Sequence, residues 1–162
     1  LVEVIQGEQT SNATIAATMT LLTEVGKSPA HVVKDTPGFV ANRLQHALWR
    51  EAIAMVAEGI CDAATLDACV KNSFGLRLPV LGPLENADLV GLDLTLDIHK
   101  TMMPELDRHA VPHSFLEAKV ANGDLGFKSG QGFRSWTNEE MQQLRKQLAD
   151  HLVAAQQRRE ST

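Results

Sequence analysis

The stretch Lys34-Asp35-Thr36-Pro37-Gly38-Phe39-Val40-Ala41-Asn42-Arg43 divides the sequence into two parts with different patterns. Before it, short apolar runs flank one helical pattern, and after it the pattern is helical almost throughout. Asp35 or Thr36 can cap a helix, and Pro37 suits the first helical position because its missing N–H needs no partner there. We therefore predict a long helix over residues 37–58, ended by a glycine. Its apolar stripe consists of Val40, Leu44, Leu48 and Val56, widened by Ile53 and Met55.

The part before this stretch predicts a strand-helix-strand unit. Leu1–Ile5 is an apolar strand, and His31–Lys34 is a second one. The helix between them is capped by Ser11 or Asn12 and ends at Gly26. Such a unit favours parallel pairing, and two strands alone do not form a stable sheet. Because the chain also opens on an apolar strand without a Met, we expect it to be a piece of a larger enzyme.

The part after this stretch predicts further helices separated by turns. Asp62 caps one helix, and two more follow over residues 84–90 and after Gly91. Between them, Ser73–Pro83 is punctuated by Gly and Pro and is predicted to be a loop. Two capping boxes, Ser114 with Glu117 and Thr137 with Glu140, mark the starts of two later helices, the last over residues 138–157.

Composition bounds the class of protein. The chain has 162 residues, of which 44% are apolar, enough for the core of one domain. Its net charge of −5 argues against a nucleic-acid binder, which needs a basic face. No apolar run reaches about 18 residues, so we predict no membrane span. Cys61 and Cys69 lie in a helical stretch and predict reduced thiols and a cytoplasmic location.

Three blocks of sequence are specific enough to suggest a family. They are Leu1–Ile5, Lys34–Arg43, and the set Gly82–Glu85, Val90–Asp93 and Lys128–Phe133. With them the chain resembles the C-terminal part of the L-3-hydroxyacyl-CoA dehydrogenase family, over residues 1 to about 136. The resemblance implies a mainly α fold: a helical C-terminal dehydrogenase domain, 6-phosphogluconate dehydrogenase C-terminal-like, preceded by a short βαβ stub. Residues 1–35 would be the remnant of the nucleotide-binding domain, and residues 36–162 the helical substrate and dimerisation domain.

The resemblance also implies an activity for the parent enzyme. That enzyme would oxidise an L-3-hydroxyacyl-CoA to the 3-ketoacyl-CoA with NAD, and would form a homodimer through its helical domain. No G-x-G-x-x-G opens a helix in this chain, and the segment that carries the catalytic histidine of the family has no counterpart here. We expect the chain alone to bind no cofactor and to be inactive.

Glu3 and Asn42 are the catalytic residues that the resemblance implies. A carboxylate at Glu3 would orient an imidazole that accepts the hydroxyl proton of the substrate, and would stabilise its charged form. The alternative is a solvent-facing Glu on an edge strand. Asn42 would orient the substrate or the imidazole; the alternative is a helical Asn bonded to the preceding turn.

Other candidate residues have more than one interpretation. Phe39 lines a substrate pocket or begins the core. The apolar loop Leu78–Pro83 either lines an acyl pocket, because apolar loops near a cleft commonly shape one, or sets the directions of two helices. Its candidate pocket residues are Leu78, Pro79 and Leu81. His109 and His113 have the spacing of metal ligands on a helix, but Pro112 does not fit an ordinary helix, so we predict no metal site.

Two other functions stay open from the sequence. One is a dehydrogenase on the same scaffold that acts on a hydroxy acid without CoA, such as a sugar acid or carnitine. The other is a helical assembly module without chemistry.

Overall fold

The chain folds into eight helices and two strands in a computed structural model that describes the backbone of residues 1–160 and the side chains of residues 1–158. In chain order these are β1 Val2–Ile5, α1 Asn12–Glu24, β2 Pro29–Val32, α2 Ala41–Ala57, α3 Ala63–Lys71, α4 Phe74–Arg77, α5 Pro83–Val90, α6 Leu92–Met102, α7 Ser114–Ala121 and α8 Asn138–Glu160. The chain divides into two compact units, and the first of them ends at Glu51. The prediction of a mainly α fold preceded by a βαβ stub is confirmed.

The first unit contains the strand-helix-strand stub. β1 and β2 pair in parallel, with Glu3 opposite Ala30. The Ser11 hydroxyl accepts the N–H of Thr14 at 3.1 Å and caps α1 as predicted. Buried Ile15 and Val32 connect the helix to the sheet. β2 begins two residues before the predicted strand, because pairing with β1 fixes its register.

The start of α2 corrects the sequence prediction. Gly38 and Phe39 have φ of +79° and +47°, values that right-handed helices exclude, so Pro37 does not begin the helix. The N–H of Phe39 instead donates to the carbonyl of Thr36 at 3.0 Å and closes a turn over residues 36–39. The helix begins at Ala41, and the predicted end at Gly59 is confirmed, with φ +73°.

The second unit contains the remaining helices. The Asp62 carboxylate accepts the N–H of Thr65 at 2.7 Å and caps α3 as predicted. The segment predicted to be a loop contains the short helix α4, because its glycine serves close packing rather than a turn. A Cβ on Gly75 would lie 2.6 Å from the carbonyl oxygen of Val70, so α4 approaches the end of α3 closely.

The two predicted capping boxes have different outcomes. Thr137 and Glu140 form theirs at the start of α8, with N–H bonds of 2.8 and 3.2 Å to each other's side chains. The prediction for Ser114 is wrong: His113 precedes α7, and its Nδ1 accepts the N–H of Phe115 at 3.1 Å. Among the described helices, none combines the length and apolarity that crossing a membrane requires.

Candidate functional site

Glu3 is held by the backbone at the start of α2. Its Oε1 atom accepts the N–H of Val40 at 2.8 Å and the N–H of Ala41 at 3.1 Å. The first N–H groups of a helix have no partner within the helix, and they carry its positive partial charge. A carboxylate therefore suits this position. Its two bonds join β1 to Val40 and Ala41, which follow Glu3 by 37 and 38 positions in the chain.

The left-handed turn before α2 directs these N–H groups. Its positive φ at Gly38 matches the third residue of a Thr36-Pro37-Gly38-Phe39 turn. Beyond the turn the Arg43 N–H donates to the Gly38 carbonyl five residues back at 3.2 Å, and the regular four-residue spacing begins with the Leu44 N–H and the Val40 carbonyl at 3.1 Å. The N–H groups of residues 40 and 41 consequently point out of the ladder and toward Glu3. Sequence reasoning missed this contribution, although the Pro-Gly pair is the signal of such a turn.

Only one oxygen of Glu3 is used in this way. Both bonds fall on Oε1, and within the described residues no donor bonds Oε2. The side chain is half-buried rather than extended into solvent. One face of the carboxylate is therefore anchored, and the other remains able to accept a further N–H.

Asn42 directly follows the two residues that hold Glu3. Its side chain is exposed, and no described residue forms a hydrogen bond with its amide. An Asn that bonds its own preceding turn occurs at Asn72, whose amide donates to Ala68 at 2.8 Å. The structure thus brings Glu3 and Asn42 to the same end of α2, where the amide is accessible to a ligand.

The predicted pocket residues lie in different places. Phe39 stands in the turn between Glu3 and Asn42 and is 39% exposed, so it does not begin a core. In the second unit, Leu78 and Leu81 line a shallow concavity of about 200 Å³, which Pro79 does not line. The other lining residues are Phe74, Arg77, Pro83 and Asn86.

Two groups of described residues were candidates for binding a dinucleotide or a metal, and neither fits. The turn between β1 and α1 is Gln6-Gly7-Glu8-Gln9-Thr10, which has a single glycine and an acid where a phosphate loop needs several glycines. Its residues therefore do not fit the phosphates of NAD. The rings of His109 and His113 lie 5.6 Å apart, and no group of three potential metal ligands occurs in the described part of the chain.

Comparison with known proteins finds two adjoining family profiles. Residues 38–136 match the profile described as 3-hydroxyacyl-CoA dehydrogenase, C-terminal domain. Residues 1–36 match the one described as 3-hydroxyacyl-CoA dehydrogenase, NAD binding domain, of which the chain covers only a small part. The resemblance given by the three sequence blocks is therefore confirmed.

Several relatives and a solved structure are similar to the chain. A 5-formyl-3-hydroxy-2-methylpyridine 4-carboxylate 5-dehydrogenase of Mesorhizobium japonicum is 37% identical, over 95% of this chain and 50% of the relative. A probable 3-hydroxybutyryl-CoA dehydrogenase of Deinococcus radiodurans is 40% identical, over 82% and 47%. An L-carnitine dehydrogenase of Pseudomonas putida is 40% identical, over 57% and 29%.

The solved structure is that of a 5-formyl-3-hydroxy-2-methylpyridine 4-carboxylic acid 5-dehydrogenase, described as an NAD⁺-dependent dismutase. It superposes with a TM-score of 0.88 at 36% identity, over 94% of this chain and 49% of that one. The chain thus spans about half the length of the curated relatives it matches.

Proposed function

Because this chain belongs to the 3-hydroxyacyl-CoA dehydrogenase family of NAD-dependent oxidoreductases, we propose that it is the C-terminal part of such a dehydrogenase and supplies Glu3 and Asn42 to its active site. The observation that carries the proposal is the anchoring of the Glu3 carboxylate at the first turn of α2, beside Asn42. In this proposal the catalytic imidazole and the dinucleotide loop come from a part of the protein outside this chain.

The anchored carboxylate has one task in this chemistry. Oε2 accepts an N–H of the imidazole, so that the other ring nitrogen faces the hydroxyl group of the substrate and takes its proton. The carboxylate then stabilises the imidazolium that forms. The Asn42 amide orients the substrate oxygen or the imidazole. When bound outside this chain, NAD would accept the hydride that leaves the carbon bearing that hydroxyl group.

The first candidate substrate is an L-3-hydroxyacyl-CoA, oxidised to the 3-ketoacyl-CoA. The family profiles and the 3-hydroxybutyryl-CoA relative support it. The concavity lined by Leu78 and Leu81 is the proposed contact for the acyl group, because its wall is mostly apolar. The partner of the whole protein would then be an acyl-CoA.

The second candidate is a hydroxy or formyl acid without CoA. A specific observation favours it: the match to the pyridine carboxylate relative covers 95% of the chain and therefore reaches into α8, beyond the C-terminal profile that ends at residue 136. The structural match to the same kind of enzyme has a TM-score of 0.88. The carnitine dehydrogenase relative also acts, by its name, on a substrate without CoA.

A substrate panel on the full-length protein separates these candidates. The values of kcat/KM for L-3-hydroxybutyryl-CoA, L-carnitine and the 5-formyl pyridine acid are compared with NAD⁺ present. A preference of about 100-fold for one class identifies it, since a site built for one polar group rejects analogues that lack it by at least this factor. The helical assembly module would show no turnover of any of them.

The role of Glu3 has its own test in the full-length protein. Glu3→Gln removes the charge that stabilises the imidazolium, and we expect kcat to fall about 100-fold. Glu8→Gln, an exposed acid in the turn after β1, is the matched control and should leave kcat unchanged. Equal activity of the two variants would contradict the proposal.

The isolated chain should not reduce acetoacetyl-CoA with NADH.

Two further proposals concern the setting of the protein. Cys61 and Cys69 are free thiols, which supports the cytoplasm as its location. Several apolar side chains of α2 are exposed, which supports a homodimer through the helical domain.

A further inference from the structure

The Glu3 carboxylate depends on backbone donors that a helix begun at Pro37 would not provide. In such a helix the N–H groups of residues 40 and 41 would donate four residues back, to the carbonyls of residues 36 and 37, and would not be free to bond Glu3. In the structure Gly38 and Phe39 are both left-handed, at φ +79° and +47°. The turn they form brings the N–H groups of Val40 and Ala41 together on one oxygen, at 2.8 and 3.1 Å.

We infer that the left-handed pair Gly38–Phe39 is a positioning element that fixes the Glu3 carboxylate for its imidazole partner. The inference rests on the proposed function, since it concerns the same carboxylate. Gly38 and Phe39 act through Glu3 and not on the substrate. Because both donors converge on Oε1, the rotation of the carboxylate is set, and Oε2 is presented in one direction.

The same bonds connect two parts of the family architecture. Glu3 lies in the segment that matches the NAD-binding profile, residues 1–36, and its donors lie in the segment that matches the C-terminal profile, residues 38–136. The orientation of Glu3 is therefore set by the first turn of the helical segment, and not by β1 alone.

Phe39 is the unusual member of the pair. A bulky side chain at positive φ is an uncommon and strained conformation, which persists where the surroundings determine it. Here the Thr36 carbonyl bond on one side and the Glu3 carboxylate on the other hold the backbone of residues 39–41. Gly38 provides its positive φ without a steric cost, and a Cβ there would lie 3.5 Å from Arg43 N, an ordinary contact.

The test uses the full-length protein with variants at Gly38. The added methyl group of Gly38→Ala fits without a steric clash, but the positive φ strains the backbone of an alanine. We therefore expect kcat to fall about tenfold while KM for NAD⁺ stays within about twofold. Gly38→Asn tolerates positive φ and should restore kcat to within about threefold of the unaltered protein. Gly26→Ala is the matched control: its φ is +72°, and nothing lies within 4 Å. It should strain the fold and leave kcat unchanged.

A second arm separates positioning from a general loss of structure. In a Glu3→Ala background, Gly38→Ala should cause no further loss of kcat, because the residue it acts through is gone. The hydrogen-exchange rates of the backbone amides of residues 40 and 41 should increase in Glu3→Ala and in Gly38→Ala, and should not change in Gly26→Ala. An equal kcat loss from Gly38→Ala in both backgrounds, or unchanged exchange, would overturn the inference. If Glu3→Ala itself retains full kcat, the proposed function fails instead.

Discussion

At the scale of single residues, the carboxylate of Glu3 shows how a charge can be placed without a cationic side chain. A hydrogen bond from a backbone N–H to a carboxylate is stronger than one between neutral groups, and two such bonds converge here. The partial charge at the start of a helix adds to them. An anion held in this way keeps its negative charge available on the oxygen that remains free to bind an imidazole.

Asn42 carries the residue-scale prediction. Removal of a donor that contacts a reacting oxygen costs about 100-fold in kcat/KM, so Asn42→Ala should lower kcat/KM of the full-length protein by about this factor. The fold should not be affected, because the amide is exposed and no described residue bonds it. We expect the change in unfolding free energy to stay within about 0.5 kcal/mol.

Steady-state kinetics and thermal unfolding of the same preparations measure the two effects. Asn12→Ala is the control, because Asn12 is also an exposed Asn in the first turn of a helix. Full activity of Asn42→Ala would leave Asn42 with no more than a local role in α2.

At the scale of elements, α8 offers a pH-dependent cap. The backbone N–H of Thr137 donates to the Glu140 carboxylate and holds the pKa of that group below its ordinary value of 4.5. A hydrogen bond with the Thr137 side chain is the second, smaller cause of the lowered pKa. A group with a lowered pKa in the folded state stabilises that state above its ordinary pKa. This contribution is lost as the pH falls through the lowered, folded-state pKa.

Glu140→Gln should therefore remove this pH dependence, together with the stabilisation that the ionised carboxylate adds at neutral pH. A glutamine retains an oxygen that accepts the Thr137 N–H, but it does not titrate. Between about pH 6 and about pH 3 the variant should lose less stability than the unaltered chain, as measured by urea unfolding. Glu139→Gln, one residue earlier in the same turn, should retain the full acid sensitivity. An identical pH profile for both variants would contradict this account.

Elements specified by local signals were predictable. The cap of α1 at Ser11 and its end at Gly26 follow from side chains within one turn of each boundary. The end of α2 at Gly59 is of the same kind, as is the cap of α3 at Asp62. Parallel pairing of the strands follows from the helix between them.

Elements specified by distant contacts were not predictable from local patterns. The start of α2 depends on Glu3, which is 37 residues before the first donor. The cap of α7 uses an imidazole nitrogen, which competes with the expected Ser114 hydroxyl. For the site, the family resemblance implied Glu3 and Asn42, while the backbone donors of Val40 and Ala41 that hold Glu3 became visible only in the structure.

At the scale of the whole molecule, exposed apolar surface is the main feature to explain. Large contiguous apolar patches on a protein surface commonly mark interfaces. In the first unit the predicted apolar stripe of α2 is exposed, with Leu44 56% and Leu48 41% exposed. In the second unit apolar side chains of α5 and α6 are exposed as well, among them Leu84, Leu89, Leu92 and Leu96.

We predict that a second copy of the chain covers the α2 stripe. Burial of one leucine side chain contributes about 1.5–3 kcal/mol, and a symmetric interface buries each residue twice, so Leu44→Asp should weaken association strongly. Sedimentation at micromolar concentration should show a dimer for the unaltered protein and a monomer for this variant. Gln9→Asp, which adds the same charge to the exposed turn after β1, should remain dimeric. A monomeric unaltered protein would contradict the prediction, and an unchanged Leu44→Asp dimer would place the interface on another face.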